Sequence, residues 1–269
     1  LRLAALTANS SNPNVVAGAL VILLPCLLAL PLFAPRRLGL LGTLFIVGAV
    51  GAMGGILALT SSRGAFVALA VALLLLIVLR WRWAWIALLV GGTAAAIAGA
   101  YFSRNGGLVA FVSNPLLPSD ASRLELWSRA IYMIEDFSFT GIGMGGYQNL
   151  TELMYPLFTV TSTNQHAHNL FLQVGVDLGV PGLIAWLTIA LLVTRAAWQV
   201  YRHGRAIGDS WIAGLGAGLL GCQVALAVHG LTDAVTWGMV RTAFIPWALW
   251  GLTIASWRVL VEDARSIGP

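Results

Sequence analysis

His166, His168 and Asn169 stand immediately before an apolar run long enough to enter a membrane. A helix that begins there presents unpaired N–H groups and the positive end of its dipole. A histidine in that place is disfavoured from taking up a proton, which suits a general base acting on a hydroxyl. The ordinary alternative is an interfacial aromatic ring with a polar tip, and it accounts better for a lone histidine than for His-x-His-Asn. If the helix already included residue 166, the two imidazoles would point about 200° apart, so that only one could face a substrate. The spacing alone leaves open which of the two that is.

The composition dictates what must position these residues. The chain has 269 residues, 59% of them hydrophobic and 9% charged, far below the charge of a soluble domain. Each of the 15 cationic side chains is an arginine, and the net charge of +5 is spread over short loops, which argues against a nucleic-acid partner. Cys26 and Cys222 lie inside apolar runs and read as small hydrophobes rather than a disulfide.

Seven stretches reach the length of a membrane crossing: about 13–34, 38–60, 64–80, 83–102, 169–200, 210–231 and 242–260. The fifth is long enough for a break at Gly179-Val180-Pro181-Gly182 followed by a full crossing. Arg36 and Arg37, Arg80 and Arg82, the trio Arg195, Arg202 and Arg205, and Arg258 with Arg265 all fall on one face, which the positive-inside rule makes cytoplasmic. Residue 1 and the segment 103–167 then lie outside. The expected fold is an all-α polytopic membrane bundle, one domain over 1–269, with an outer loop at 103–167 that carries an amphipathic helix.

Among the other arginines, Arg63, Arg104, Arg123, Arg129 and Arg241 sit on the outer side, where orientation does not require them. Each could be merely solvated or could bind an anion. Arg63 fits solvation least, because "LTSSRGAF" confines it to a short connection between two spans. In "PSDASRLELWSRAIYMIEDF" the stripe Leu124, Trp127, Ile131 and Ile134 predicts a helix lying on the bilayer or on the bundle. Ser122 with Glu125 would form its capping box, Ser119 and Asp120 being the competing caps. Glu125 occupies Arg129 one turn later, whereas Arg123 sits at the edge of the stripe, with Asp120 as its ordinary partner. "GIGMGG", residues 141–146, has the spelling of a dinucleotide fingerprint but not its strand–turn–helix setting, so its glycines read as tight turns.

His168-Asn169, nine residues, then Gly179-Val180-Pro181-Gly182, together with "SSRGAF", "SRLELWSRAI…GIGMGGY" and "SSNPNVVAGALVILLP" in that order, resembles the bacterial O-antigen ligases and polymerases, a family that includes protein O-oligosaccharyltransferases. The resemblance implies transfer of a glycan from a polyprenyl diphosphate to a sugar, lipid or protein acceptor on the outer side of the cytoplasmic membrane, with no cofactor and no required metal. It implies Arg63 and Arg123 as diphosphate-binding residues and His168 as the catalytic residue. Asn169, His166 and Arg241 are the further candidates for substrate binding, Asn169 by orienting the acceptor or a phosphate oxygen. All three diphosphate and catalytic candidates are expected to line one outward-opening cavity, with Arg104 and Arg129 outside it. Members have more spans than the seven read here, so the chain is expected to be the C-terminal part of a longer protein. Ligation leads, polymerisation uses the same chemistry, and a transporter or flippase is the reading from another class. Paired charges deep in the spans and internal repeats would mark the last, but Asp177 is the main internal charge.

Overall fold

The computed structural model describes residues 12–81, 83–86, 89, 93, 119–158 and 166–266, without the side chains of 119–122 and 261–266. Most of the fourth expected span, Arg104, and the Asp120 and Ser122 side chains lie outside what is described. Every described element is a helix: α1 (Pro13–Phe33), α2 (Pro35–Thr60), α3 (Arg63–Arg80), α4 (Ser119–Asp136), α5 (Tyr147–Leu153), α6 (Leu170–Ala206), α7 (Ser210–Gly230) and α8 (Phe244–Ser266). Of these, α1, α2, α3, α6 and α7 are long and apolar enough to cross a membrane, and α8 occupies the seventh expected stretch. The chain is a polytopic helical membrane protein.

The bundle is built around α7, which packs against α1, α3 and α6. Small residues permit the approach. A Cβ on Gly216 would meet the Tyr201 backbone at 2.3 Å, and one on Gly218 the Cys26 Cα at 2.9 Å. Where no hydrophobic force draws helices together, such close backbone contact is a main source of association. On α2, Leu40, Leu41 and Phe45 face outward, where hydrocarbon would receive them.

One end of the bundle gathers arginines. Arg37 pairs with Asp209 at 3.0 Å and Arg80 donates Nε–H to the Leu32 carbonyl at 3.0 Å. The opposite end carries His166 and His168, the amino end of α3 and the carboxyl end of α7.

α6 breaks where expected. Gly179 has φ 70° and ψ −179°, a region essentially reserved for glycine. The interruption frees carbonyls, and the 141–146 glycine loop satisfies them: Ile142 N–H donates to Val176 O at 2.9 Å and Gly143 N–H to Asp177 O at 3.0 Å. Gly141, Gly143 and Gly145 all have positive φ, so these glycines are turn residues that cap a broken helix. A Cβ on Gly179 would also meet the Ser138 and Phe139 carbonyls at 2.8 Å. We therefore expect Gly179→Ala to cost at least about 1–3 kcal/mol, read as a lower thermal midpoint in detergent. Gly251→Ala, in open space on α8, should melt like the parent; equal melting of the two variants would contradict this account of the break.

α4 differs from its expected face. Leu126, Ala130 and Met133 are the buried residues, packed with Tyr147, Ala167 and Val176, whereas Leu124 and Ile131 are exposed. Small Ala130 lets α4 lie close on α6. The stripe read from sequence straddles this face and a second apolar one turned outward, so α4 has bundle on one side and surroundings suited to a bilayer on the other.

Candidate functional site

The amino end of α6 begins at Leu170, so both histidines precede the helix rather than lying on it. Asn169 is the N-cap, its Oδ1 accepting from Phe171 N–H at 3.0 Å and Leu172 N–H at 3.1 Å. Its Nδ2 donates to Leu231 O at 3.2 Å. Asn169 was expected to bind substrate; here its amide is engaged in fixing the helix start against the end of α7, because a helix beginning at Leu170 needs those donors capped.

The histidines therefore do not point apart. Their ring centroids are 4.3 Å apart, and both face a carboxylate that sequence reasoning missed. His168 Nδ1 lies 3.4 Å and His166 Nε2 3.9 Å from Asp233 Oδ1. Asp233 is buried in the turn after α7, its Oδ1 also accepting from Ala234 N–H at 2.8 Å. Burial alone would push its carboxyl up, but His168 beside it, then His166 and His229, hold it below the usual carboxylate value. Its charge is therefore present at neutral pH.

The protons can be assigned from the bonds. His168 N–H donates to His166 Nδ1 at 3.2 Å, so the proton of neutral His166 is on Nε2. Burial, then the nearby His168, pull the His166 pKa down to about 4, against the opposing pull of Asp233; His166 is neutral through the physiological range. His168 Nδ1 is buried and has no other partner among the described residues, so an ionised Asp233, able only to accept, calls for a proton there. Nε2 of His168 is then the nitrogen with a free lone pair. The ligand atoms of His166, His168 and Asp233 fall within 4.8 Å of one another, a spacing that would admit a metal ion. The tautomer opposes it: a metal on His166 Nε2 would require a proton on Nδ1, where the His168 N–H already donates.

Backbone strain marks the same place. Among the described residues Ser61 and His168 are the non-glycine residues with positive φ, 54° and 49°, a conformation that costs about 1–2 kcal/mol. One ends α2 two residues before Arg63; the other is the candidate base.

The turn 229–233 connects the parts. Gly64 approaches it so closely that a Cβ would stand 2.2 Å from Thr232 Oγ1, which brings Arg63 beside the end of α7. Arg63 and Arg123 line one cavity of about 300 Å³ with Val67, Val228, Leu231 and Thr232. Trp127, one turn after Arg123, reaches the His168 carbonyl through Nε1 at 3.4 Å. His168 is not among the residues lining that cavity. Leu231 and Thr232 are on its wall while Asp233, the next residue, faces the histidines. The single cavity expected from sequence is thus replaced by a division: a second cavity of about 400 Å³ lies on the His166 side and includes Arg241. Arg129 is occupied as expected, 3.8 Å from Glu125 and donating to Pro156 O at 3.1 Å, with Phe158 under its guanidinium.

The sequence model described as O-antigen ligase matches residues 48–187, just over half of the chain. The chain belongs to the O-antigen ligase family. No individual curated protein matches it. The chain is accordingly a membrane glycan-processing enzyme of the ligase and polymerase type. The matched segment includes Arg63, Arg123, His166, His168, Asn169, Gly179 and Gly182, and ends before Asp233 and Arg241. Asp233 had one available signal: His229, Thr232 and Asp233 are polar residues clustered at the carboxyl end of an expected span.

Proposed function

We propose that this family member moves a glycan from a polyprenyl diphosphate to an acceptor hydroxyl on the outer side of the cytoplasmic membrane. The observation that carries the proposal is His168 facing the Asp233 carboxylate at 3.4 Å, one turn of chain away from a cavity lined by Arg63 and Arg123. In this reading Asp233 keeps the proton of His168 on Nδ1 and orients the ring. Nε2 takes the proton of the acceptor hydroxyl as its oxygen attacks the anomeric carbon of the donor sugar. The bond from that carbon to the phosphate oxygen breaks, and its electron pair leaves with the polyprenyl diphosphate. Two forked guanidiniums bind the diphosphate and stabilise the charge developing on it. Val67, Val228 and Leu231 beside them suit the first units of an apolar lipid. The proton held by His168 then passes to solvent. Of the two acceptor classes, the His168-Asn169 to Gly182 pattern favours ligation over polymerisation.

The test is transfer by purified full-length protein in detergent, supplied with a lipid-linked glycan. An enzyme transfers glycan without a membrane barrier, whereas a transporter leaves donor and acceptor unchanged. Arg63→Ala and Arg123→Ala should each lower kcat/KM for the donor by about 10²-fold, and Arg129→Ala should change it little. Equal effects of all three would dissociate the arginine cavity from donor binding.

The proposed side of the membrane has its own test. Cysteine at the exposed position 144 or 154 should react with an impermeant thiol reagent on intact cells. Reaction only after permeabilisation would invert the orientation and remove the outer site.

A further inference from the structure

The 400 Å³ cavity on the His166 side differs in chemistry from the arginine cavity. Its polar lining comprises Gln148, His166, Gln173, Asp177 and Arg241, with Trp237 beside them. Asp177 is 2% exposed, inside an apolar helix. Its Oδ1 accepts from Gln173 Nε2 at 2.9 Å and its Oδ2 from Trp237 Nε1 at 2.9 Å. Each carboxylate oxygen has a further lone pair, and among the described residues no cation pairs with Asp177. Gln173 Oε1 in turn accepts from Ala167 N–H at 2.8 Å, which ties this wall to the chain between the two histidines.

A purely structural network would be filled in around its polar atoms, since buried polar surface left open to a void is unfavourable. This one borders a space of the volume typical of small-ligand sites. Carboxylate, amides, imidazole N–H and guanidinium offer acceptors and donors in alternation, which suits a ligand dense in hydroxyls. The charges separate the two substrates. Among the described residues the arginine cavity presents two cations and no acid, whereas here an acid offsets the one arginine, so that the net attraction for a diphosphate is small.

We propose that this cavity is the acceptor subsite and that it binds a neutral pyranose, with Asp177 and Gln173 accepting and donating to its hydroxyls and Arg241 and Gln148 closing its rim. The inference rests on the reading of the chain as a glycan transferase. Donor and acceptor then approach the His168–Asp233 pair from opposite sides of the 231–233 turn, and His166 lines the acceptor's side of that pair.

The test is saturation-transfer NMR on the full chain in lipid nanodiscs, with methyl glucopyranoside and methyl mannopyranoside as probes and inorganic pyrophosphate as competitor. Saturation should pass to the ring protons of at least one pyranoside, persist when pyrophosphate is added, and fall at least about tenfold in Gln148→Ala and in Asp177→Asn. Gln148 is a rim residue whose loss leaves the buried network in place, so it decides the matter if Asp177→Asn fails to fold. No transfer to either pyranoside, transfer indifferent to Gln148→Ala, or displacement by pyrophosphate would overturn the proposal. The readout needs no turnover, so its failure and the failure of glycan transfer are separate results.

Discussion

Replacing His168 by alanine should lower glycan turnover by at least ~10²-fold, the effect typical of a lost general base, while leaving the protein folded and able to bind the donor. The first half follows from position: His168 is the imidazole nearest the Asp233 carboxylate, at 3.4 Å, and its Nε2 carries the free lone pair. The second follows from the separation of roles, because Arg63 and Arg123 line a different cavity and supply the affinity for diphosphate. His166→Ala should cost clearly less. His166 holds its proton on Nε2 and its pKa is pulled down to about 4, chiefly by burial, so it is a poor acceptor of a hydroxyl proton. Removing it loses an accepted bond from His168 N–H and a wall of the second cavity, effects on geometry more than on chemistry. Donor binding measured by displacement with pyrophosphate should be similar in both variants.

Asp233→Asn should be nearly as damaging, lowering kcat by about 10²-fold or more. The carboxylate can only accept, so it specifies one tautomer of His168 and stabilises the imidazolium that forms during proton transfer. An asparagine at the same place can turn its NH₂ toward His168 and favour the wrong tautomer. A merely structural role would reduce folding and all activities together. The account instead expects kcat to fall with donor KM little changed, and the thermal midpoint to stay near that of the parent. A variant with unchanged kcat would remove Asp233 from the mechanism and leave the two arginines as the surviving contribution.

The physical reasons for what the sequence discloses differ from residue to residue. Gly179 was legible because a glycine two residues before a proline inside an apolar run has few explanations, and its φ of 70° is the one expected of a break. Arg63 was legible because a charge in a short connection between spans has little room to escape. Asp233 was not. Its polar cluster with His229 and Thr232 at the end of a span belongs to no periodicity and no motif, and the two histidines that face it from the start of α6 lie more than sixty residues earlier in the chain. The buried face of α4 was misread for another reason. Leu124 and Ile131 are as apolar as Leu126 and Met133, and hydrophobicity alone cannot tell a face against protein from a face against lipid. The split into two cavities depends on which side of a single turn, 231–233, each side chain emerges, and spacing along the chain carries no information about that.

The most direct test of the central claim is the pH dependence of glycan transfer by purified full-length protein and its two histidine variants from pH 5 to 9. In this window His166, with its pKa near 4, stays neutral, and Asp233, held below the usual carboxylate value, stays ionised. Neither changes charge, so a loss of rate toward acid pH comes from neither. The account predicts that this loss is present in the parent and in His166→Ala, and that it disappears in His168→Ala together with at least ~10²-fold of the turnover. An active His168→Ala with the parent's rate and pH dependence would contradict it.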